Sequence, residues 1–269
     1  MARVSISSMF LWDMDPGCMA EVVDEAGIKE IEFWTETPWY WEGGRREEQA
    51  EEIKRALGGL RMTLHAPVMD LNPSSYNDLV CQATIKESLR AIDLADFLGA
   101  EVVTIHPGKR TAKRPAREAE RQKLRHYLNV CLSQAEEMGI SLALENLEPA
   151  PWNICADPEE MGKFLGELPL GMTLDISHAA PPISRAMAFV ETLKDRILNV
   201  HVSTTMNGVR HLPPSDGSVD QILRALKDVG YEGPLTLELD DKKFSETLSK
   251  EDKVRVLIKE RRHLESVWG

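Results

Sequence analysis

Several residues able to hold a metal or move a proton stand at matching places in this sequence, where short apolar runs close. These are His65 in "RMTLHA", His106 in "EVVTIH", Glu145 and Asn146 in "SLALEN", Asp175 in "GMTLDI", His201 in "ILNVHV" and Glu238 in "PLTLEL". His178 follows Asp175 by one turn of chain, and His211 is expected in the loop beyond His201. A lone histidine at such a place is more often a hydrogen-bonded structural residue than a ligand. The carboxylates are harder to dismiss. Glu145, Asp175 and Glu238 each interrupt an apolar run, and no Lys or Arg occupies a matching run end. Burying three carboxylates without a cation is very costly, and a divalent ion supplies the missing charge. Mixed His and carboxylate ligands suit Zn, Mn, Fe or Co better than Ca or Mg. The expectation is a bound divalent metal, zinc or manganese first.

The elements that must position these residues alternate along the chain. Strand-like runs cover 4–10, 30–34, 61–66, 101–106, 141–146, 171–176, 197–202 and 234–239. Most are continuously apolar, as parallel strands buried on both faces require. Helical periodicity falls between them. Leu124, Leu128, Cys131, Ala135 and Met138 share one helix face, as do Ile85, Leu89, Ile92 and Ala95. Gly99 and Gly139 read as helix C-terminal stops. Eight strand-then-helix units predict an α/β chain folded as one (β/α)8 TIM barrel spanning residues 1–269. A doubly wound sheet would more usually carry a Gly-rich phosphate loop after its first strand, and "SSMFLWDMDPG" has none. In a barrel, chemistry gathers where strands end. His126 and His263 are expected on helices, and the other five histidines at that one face.

A length of 269 residues with 42% apolar content suits one such barrel. The formal net charge of −12 argues against strong non-specific affinity for nucleic acid. Four scattered cysteines form no Cys-x-x-Cys pair. No transmembrane run or signal peptide is read, and a reducing cytoplasm is expected. Two further stretches have two readings each. Trp34, Trp39, Tyr40 and Trp41 are either a packed loop or a wall that stacks on a sugar ring or base. Lys109, Arg110, Lys113, Arg114 and Arg117 are either a solvated helix start or a phosphate clamp at the mouth of the site.

The motifs "LHAP", "IHPG", "LEN", "LDISHA", "VHV" and "LELD", in that order, resemble the xylose isomerase-like TIM-barrel superfamily over essentially the whole chain. That superfamily includes sugar isomerases and epimerases, and also endonuclease IV. In the isomerase and epimerase branch the resemblance implies a metal held by Glu145, Asp175, His201 and Glu238. Glu145 and Glu238 double there as the acid/base pair, with His178 near a small carbohydrate substrate. In the endonuclease IV branch it implies three zinc ions and nucleic acid as partner. His65, His106, Glu145, Asp175, His178, His201, His211 and Glu238 match eight of that branch's nine ligands. The ninth is the Asp of an Asp-Arg-His motif, which reads Val209-Arg210-His211 here, and valine cannot ligate. The "HAPY" motif reads His65-Ala66-Pro67-Val68, without the aromatic. The expected activity is therefore isomerisation or epimerisation of a small sugar or sugar phosphate. Asn146 would hold a substrate hydroxyl, Arg210 a phosphate, and Trp34 a ring face. Abasic-site phosphodiester cleavage is the alternative.

Overall fold

The computed structural model describes residues 2–41 and 46–269. Eight parallel strands close into a barrel in the order β1-β10-β7-β6-β5-β4-β3-β2. They are β1 (Arg3–Ser7), β2 (Glu30–Trp34), β3 (Arg61–His65), β4 (Val102–Ile105), β5 (Ser141–Glu145), β6 (Gly171–Asp175), β7 (Ile197–Val202) and β10 (Pro234–Leu237). β8 (Thr204–Met206) and β9 (Val209–Leu212) form an antiparallel hairpin after β7. The outer helices are α1 (Pro16–Glu25), α3 (Arg46–Leu57), α4 (Asp78–Leu98), α5 (Glu118–Met138), α6 (Pro158–Glu167), α8 (Ile183–Leu193), α9 (Asp220–Asp228) and α10 (Lys250–Trp268). The short α2 (Pro38–Trp41) and α7 (Ile176–Ala179) sit in loops that follow β2 and β6. This is the (β/α)8 TIM barrel that the alternation predicts.

The helix patterns hold. Leu124, Leu128, Cys131 and Ala135 are buried, with Met138 half-buried at the end of α5; Ile92 and Ala95 are buried on α4, with Ile85 and Leu89 packed beside them. Gly99 and Gly139 cap α4 and α5 with φ of 75° and 71°, the left-handed conformation that glycine adopts without strain. Among the described residues, no helix is long and apolar enough to cross a membrane.

Three local expectations need correction. The first run does not stay extended to residue 10. The Ser7 hydroxyl accepts the Met9 N–H at 3.3 Å and turns the chain into a 3-10 helix over Ser8–Leu11. His178 is on a helical turn, α7, which the Asp175 carboxylate caps by accepting its N–H at 2.7 Å. His211 is not in an irregular loop but on β9. The turn before it is Asn207-Gly208, with φ of 52° and 80°, the primed hairpin turn for which Asn-Gly is the strongest short signal.

Candidate metal centre

The strand ends bring all eight expected ligands to one mouth of the barrel. His65 and Glu145 close β3 and β5, Asp175 closes β6, and His201 is the penultimate residue of β7. His106 and Glu238 stand one residue beyond β4 and β10. His65 Nε2 and His106 Nε2 each lie 3.2 Å from Glu145 Oε2. His201 Nδ1 faces three carboxylate oxygens, Glu238 Oε2 at 3.3 Å, Glu145 Oε2 at 3.5 Å and Asp175 Oδ2 at 3.9 Å. His211 Nδ1 is 3.3 Å from Glu238 Oε2. Three groups could each hold an ion: His65, His106 and Glu145; Glu145, Asp175 and His201; and Asp175, His178 and His211.

These residues fit a metal on two grounds. Ligands at ~2.1 Å around a tetrahedral ion are separated by ~3.4 Å, close to the distances above and longer than good charge-assisted hydrogen bonds. In addition, His106 Nε2, Asp175 Oδ2, His201 Nδ1, His211 Nδ1 and Glu238 Oε2 are buried without a hydrogen-bond partner. Buried polar atoms are normally paired, and these five lie within the cluster of imidazoles and carboxylates that could hold an ion.

No Lys or Arg pairs with Glu145, Asp175 or Glu238 among the described ion pairs. The cationic partners of the metal-free cluster are imidazoles instead. Burial pushes Glu145 and Glu238 upward. The neighbouring histidines outweigh it, His106 and His201 at Glu145 and His201 and His211 at Glu238, and hold both well below the usual carboxylate range. At Asp175 burial wins over His178 and raises the group to about 6. His178 is opposed by burial, yet Asp175 and Glu145 raise it to about 10.

The imidazoles are oriented from behind. His65 Nδ1 lies 2.8 Å from the Ala66 carbonyl and His178 Nδ1 3.0 Å from that of Asn146, so in the neutral ring, the form that ligates, each Nδ1–H donates to backbone and leaves Nε2 as the lone-pair atom. His211 has a φ of 59°, which costs a non-glycine residue roughly 1–3 kcal/mol. Its carbonyl accepts the Asp240 N–H at 3.0 Å, and that bond ties the hairpin to the end of β10.

Several expected contacts fall elsewhere. Asn146 is fully buried, and its amide clamps β6: Nδ2 donates to the Asp175 carbonyl at 3.0 Å, and Oδ1 accepts the Asp175 N–H at 2.8 Å. It positions a ligand and has no exposed atom for a substrate hydroxyl. Trp34 stands edge-on to His65 with ring centroids 5.5 Å apart. Tyr40 instead packs into the core against Phe33, and Trp41 lies under Arg46, so the aromatic stretch is mostly a packed loop. Arg110 is buried, donates to the Pro115 carbonyl and covers the Tyr76 ring. Of the five basic residues only Lys109 borders the cavity beside the cluster. That cavity, about 250 Å³, is lined by His106 and His178 together with Val68, Asn72, Glu148 and Asn153. Arg210 Nη1 reaches to 3.7 Å from Glu148.

Two buried carboxylates close to the candidate ligands escaped the sequence reading. Glu36 accepts the N–H groups of Val68 and Met69 at 2.7 and 2.6 Å and fixes the loop after β3. Glu32, mid-strand in β2, lies behind His201 at 0% exposure. Its alternation with Ile31 and Phe33 was the available signal.

The xylose isomerase-like TIM-barrel family model matches residues 20–266. An uncharacterised protein of Methanocaldococcus jannaschii is 33% identical over 273 residues, covering 99% of this chain and all of that protein. A protein of Aquifex aeolicus described as "Probable endonuclease 4" is 24% identical over 161 residues, 58% of this chain and 56% of its own length. Among solved structures, a D-tagatose 3-epimerase-like protein superposes with a TM-score of 0.75 at 24% identity, each chain covered to 98%. The D-psicose 3-epimerase of Clostridium cellulolyticum H10 superposes with a TM-score of 0.78 at 16% identity, covering 99% of both chains. These two likenesses are of fold. By its family match and its full-length relative, the chain belongs to the xylose isomerase-like TIM-barrel family.

Proposed function

We propose that the protein is a metal-dependent isomerase or epimerase of a small sugar or sugar phosphate. The observation that carries the reading is the convergence of Glu145 Oε2 and Glu238 Oε2, from strands on different sides of the barrel, on the single atom His201 Nδ1 at 3.5 and 3.3 Å. Two buried carboxylates flanking one position are the arrangement that takes a proton from one face of a carbon and returns it to another. Glu145, Asp175, His201 and Glu238 would hold the ion, which when bound polarises a carbonyl and its neighbouring hydroxyl. Glu145 and Glu238 would serve as base and acid. His178 would hold a substrate oxygen, with its Nδ1 fixed by the Asn146 carbonyl. Trp34, Lys109 and Arg210 would border the rest of the substrate. The cavity of about 250 Å³ lies near the small end of ligand sites, ~300–1,000 Å³, and suits a sugar-sized molecule.

A second reading, an abasic-site phosphodiesterase, is favoured by one observation. The His65, His106 and Glu145 group and the Asp175, His178 and His211 group exceed what one ion needs. Against it, Val209 supplies no ligand and is exposed on β9, and Val68 replaces an aromatic at the rim.

One sample decides between them. The metal-loaded protein is incubated in heavy water with pentoses, hexoses and their phosphates, and separately with an abasic-site duplex. Deuterium on the carbon next to a sugar carbonyl, or sugar interconversion, is expected. Metal-dependent strand cleavage with neither sugar outcome would overturn the isomerase reading.

A further inference from the structure

We infer that Glu32 is the positioning residue of the metal centre, fixing His201 so that Nδ1, not Nε2, faces the ion. The inference rests on the proposed ion among Glu145, Asp175, His201 and Glu238, and not on the sugar chemistry.

The geometry is specific. His201 Nε2 lies 2.9 Å from Glu32 Oε1 and 3.2 Å from Oε2, with the better-directed hydrogen bond to Oε2. Both side chains are wholly buried. Glu32 stands on β2 and His201 on β7, so the carboxylate reaches across the barrel interior. It meets no Lys or Arg there. Asn199 Nδ2 donates to Oε2 at 2.7 Å, and the Thr104 and Thr63 hydroxyls approach at 3.4 and 3.5 Å. Asn199 is oriented in turn by the Thr236 hydroxyl, which donates to its Oδ1 at 2.8 Å. The donors to Oε2 thus come from three other strands, β3, β4 and β7, with His201 among them, while Oε1 faces His201 Nε2 without a directed hydrogen bond.

Two consequences follow. A carboxylate accepts only, so the nitrogen facing it carries the proton and the lone pair lies on the other. That other atom is His201 Nδ1, one of the buried atoms without a hydrogen-bond partner. A carboxylate behind an imidazole also makes it a stronger ligand. His65 has a backbone carbonyl in this place, and His178 Nδ1 has the Asn146 carbonyl at 3.0 Å with the expected ligands Glu145 and Asp175 at 3.3 and 3.8 Å. Of these three imidazoles, His201 is the one backed by a carboxylate that is not itself an expected ligand, so that carboxylate's charge can tune its metal affinity. A glutamate that merely plugged the barrel would stabilise the fold and leave the ion indifferent to its charge.

The test is Glu32→Gln. Glutamine keeps the shape and an oxygen for Nε2–H and Asn199 but removes the charge. Zinc and manganese affinity is measured by calorimetry on metal-free parent and variant, beside the melting temperature of each metal-free form. A 10- to 100-fold weaker affinity, the usual effect of losing an outer-shell partner, with folding retained, is expected. Affinity within twofold of the parent would overturn the inference. If the variant does not fold, NMR of the cadmium-loaded parent with labelled histidine decides. Metal coupling to His201 Nδ1 with a retained Nε2–H supports it, and coupling to Nε2 overturns it. A parent that takes up no metal defeats the centre and this inference together. A parent that binds metal but turns over no sugar defeats only the sugar reading.

Discussion

Glu238→Gln separates the two duties assigned to one side chain, ligand and proton carrier. The Glu238 carboxylate is buried, and Oε2 faces only His201 Nδ1 and His211 Nδ1, both at 3.3 Å. Glutamine fits the same space and keeps an oxygen toward them. Glu145, Asp175 and His201 still surround the ion, so metal should remain bound, although more weakly. What disappears is the basic oxygen. A general acid or base contributes about 10²–10⁴ in rate. At 1.36 kcal/mol per tenfold change, that is about 3–5 kcal/mol of barrier. The assay is deuterium uptake and interconversion of the best sugar from the panel, followed against metal concentration until the rate saturates. The expected result is a loss of two to four orders of magnitude in kcat that saturating metal does not recover, with KM changed far less. Recovery to within tenfold of the parent at saturating metal would show that Glu238 only holds the ion. The acid/base assignment would then fail.

Removing metal with a chelator should lower the melting temperature and restoring zinc or manganese should raise it. At 100-fold excess over the dissociation constant the gain is about 2.7 kcal/mol, or roughly 5–10 °C for a chain of this size; equal melting curves would refute the centre. If the His65, His106 and Glu145 group holds a second ion, His106→Ala should remove it while the one at His201 stays, read as a drop in metal stoichiometry by elemental analysis. Unchanged stoichiometry makes His106 a substrate or structural histidine. Metal uptake should also release protons. Against the opposing effect of burial, Glu238, Glu32 and Glu145 raise His201 well above the usual imidazole range, burial carries Asp175 to about 6 in the metal-free protein, and ligands bind ions deprotonated. Apparent affinity should therefore fall as pH falls, with a further drop through about 6, where Asp175 gains its proton. Calorimetry in buffers of different ionisation enthalpy should register the release, and identical heats would contradict it.

What the sequence determined by itself is the barrel and most of its ligand set. Strands buried on both faces read as unbroken apolar runs, so Glu145, Asp175, His201 and Glu238 are conspicuous where they interrupt them. Strand ends share one face of a barrel, and the eight candidate ligands could be assembled before any distance was known. The hairpin that carries His211 was also legible, in Asn207-Gly208, though it was read as a loop.

Only the tertiary structure decided what each polar side chain faces, because that depends on strands remote in the chain. Glu30 and Glu32 are two residues apart on one strand. Glu30 meets Arg3 and Arg61, whereas Glu32 meets Asn199 and His201, over 160 positions away in the chain. Asn146 follows a ligand and reads as a substrate contact, yet its amide is taken up by the backbone of β6. Arg110 sits in a basic run and is buried against Tyr76, while its neighbour Lys109 borders the cavity. Spacing along a strand gives the face a residue shares, since side chains alternate with a period of two. Which partner waits there is set by barrel closure, which pairs strands that no local pattern connects.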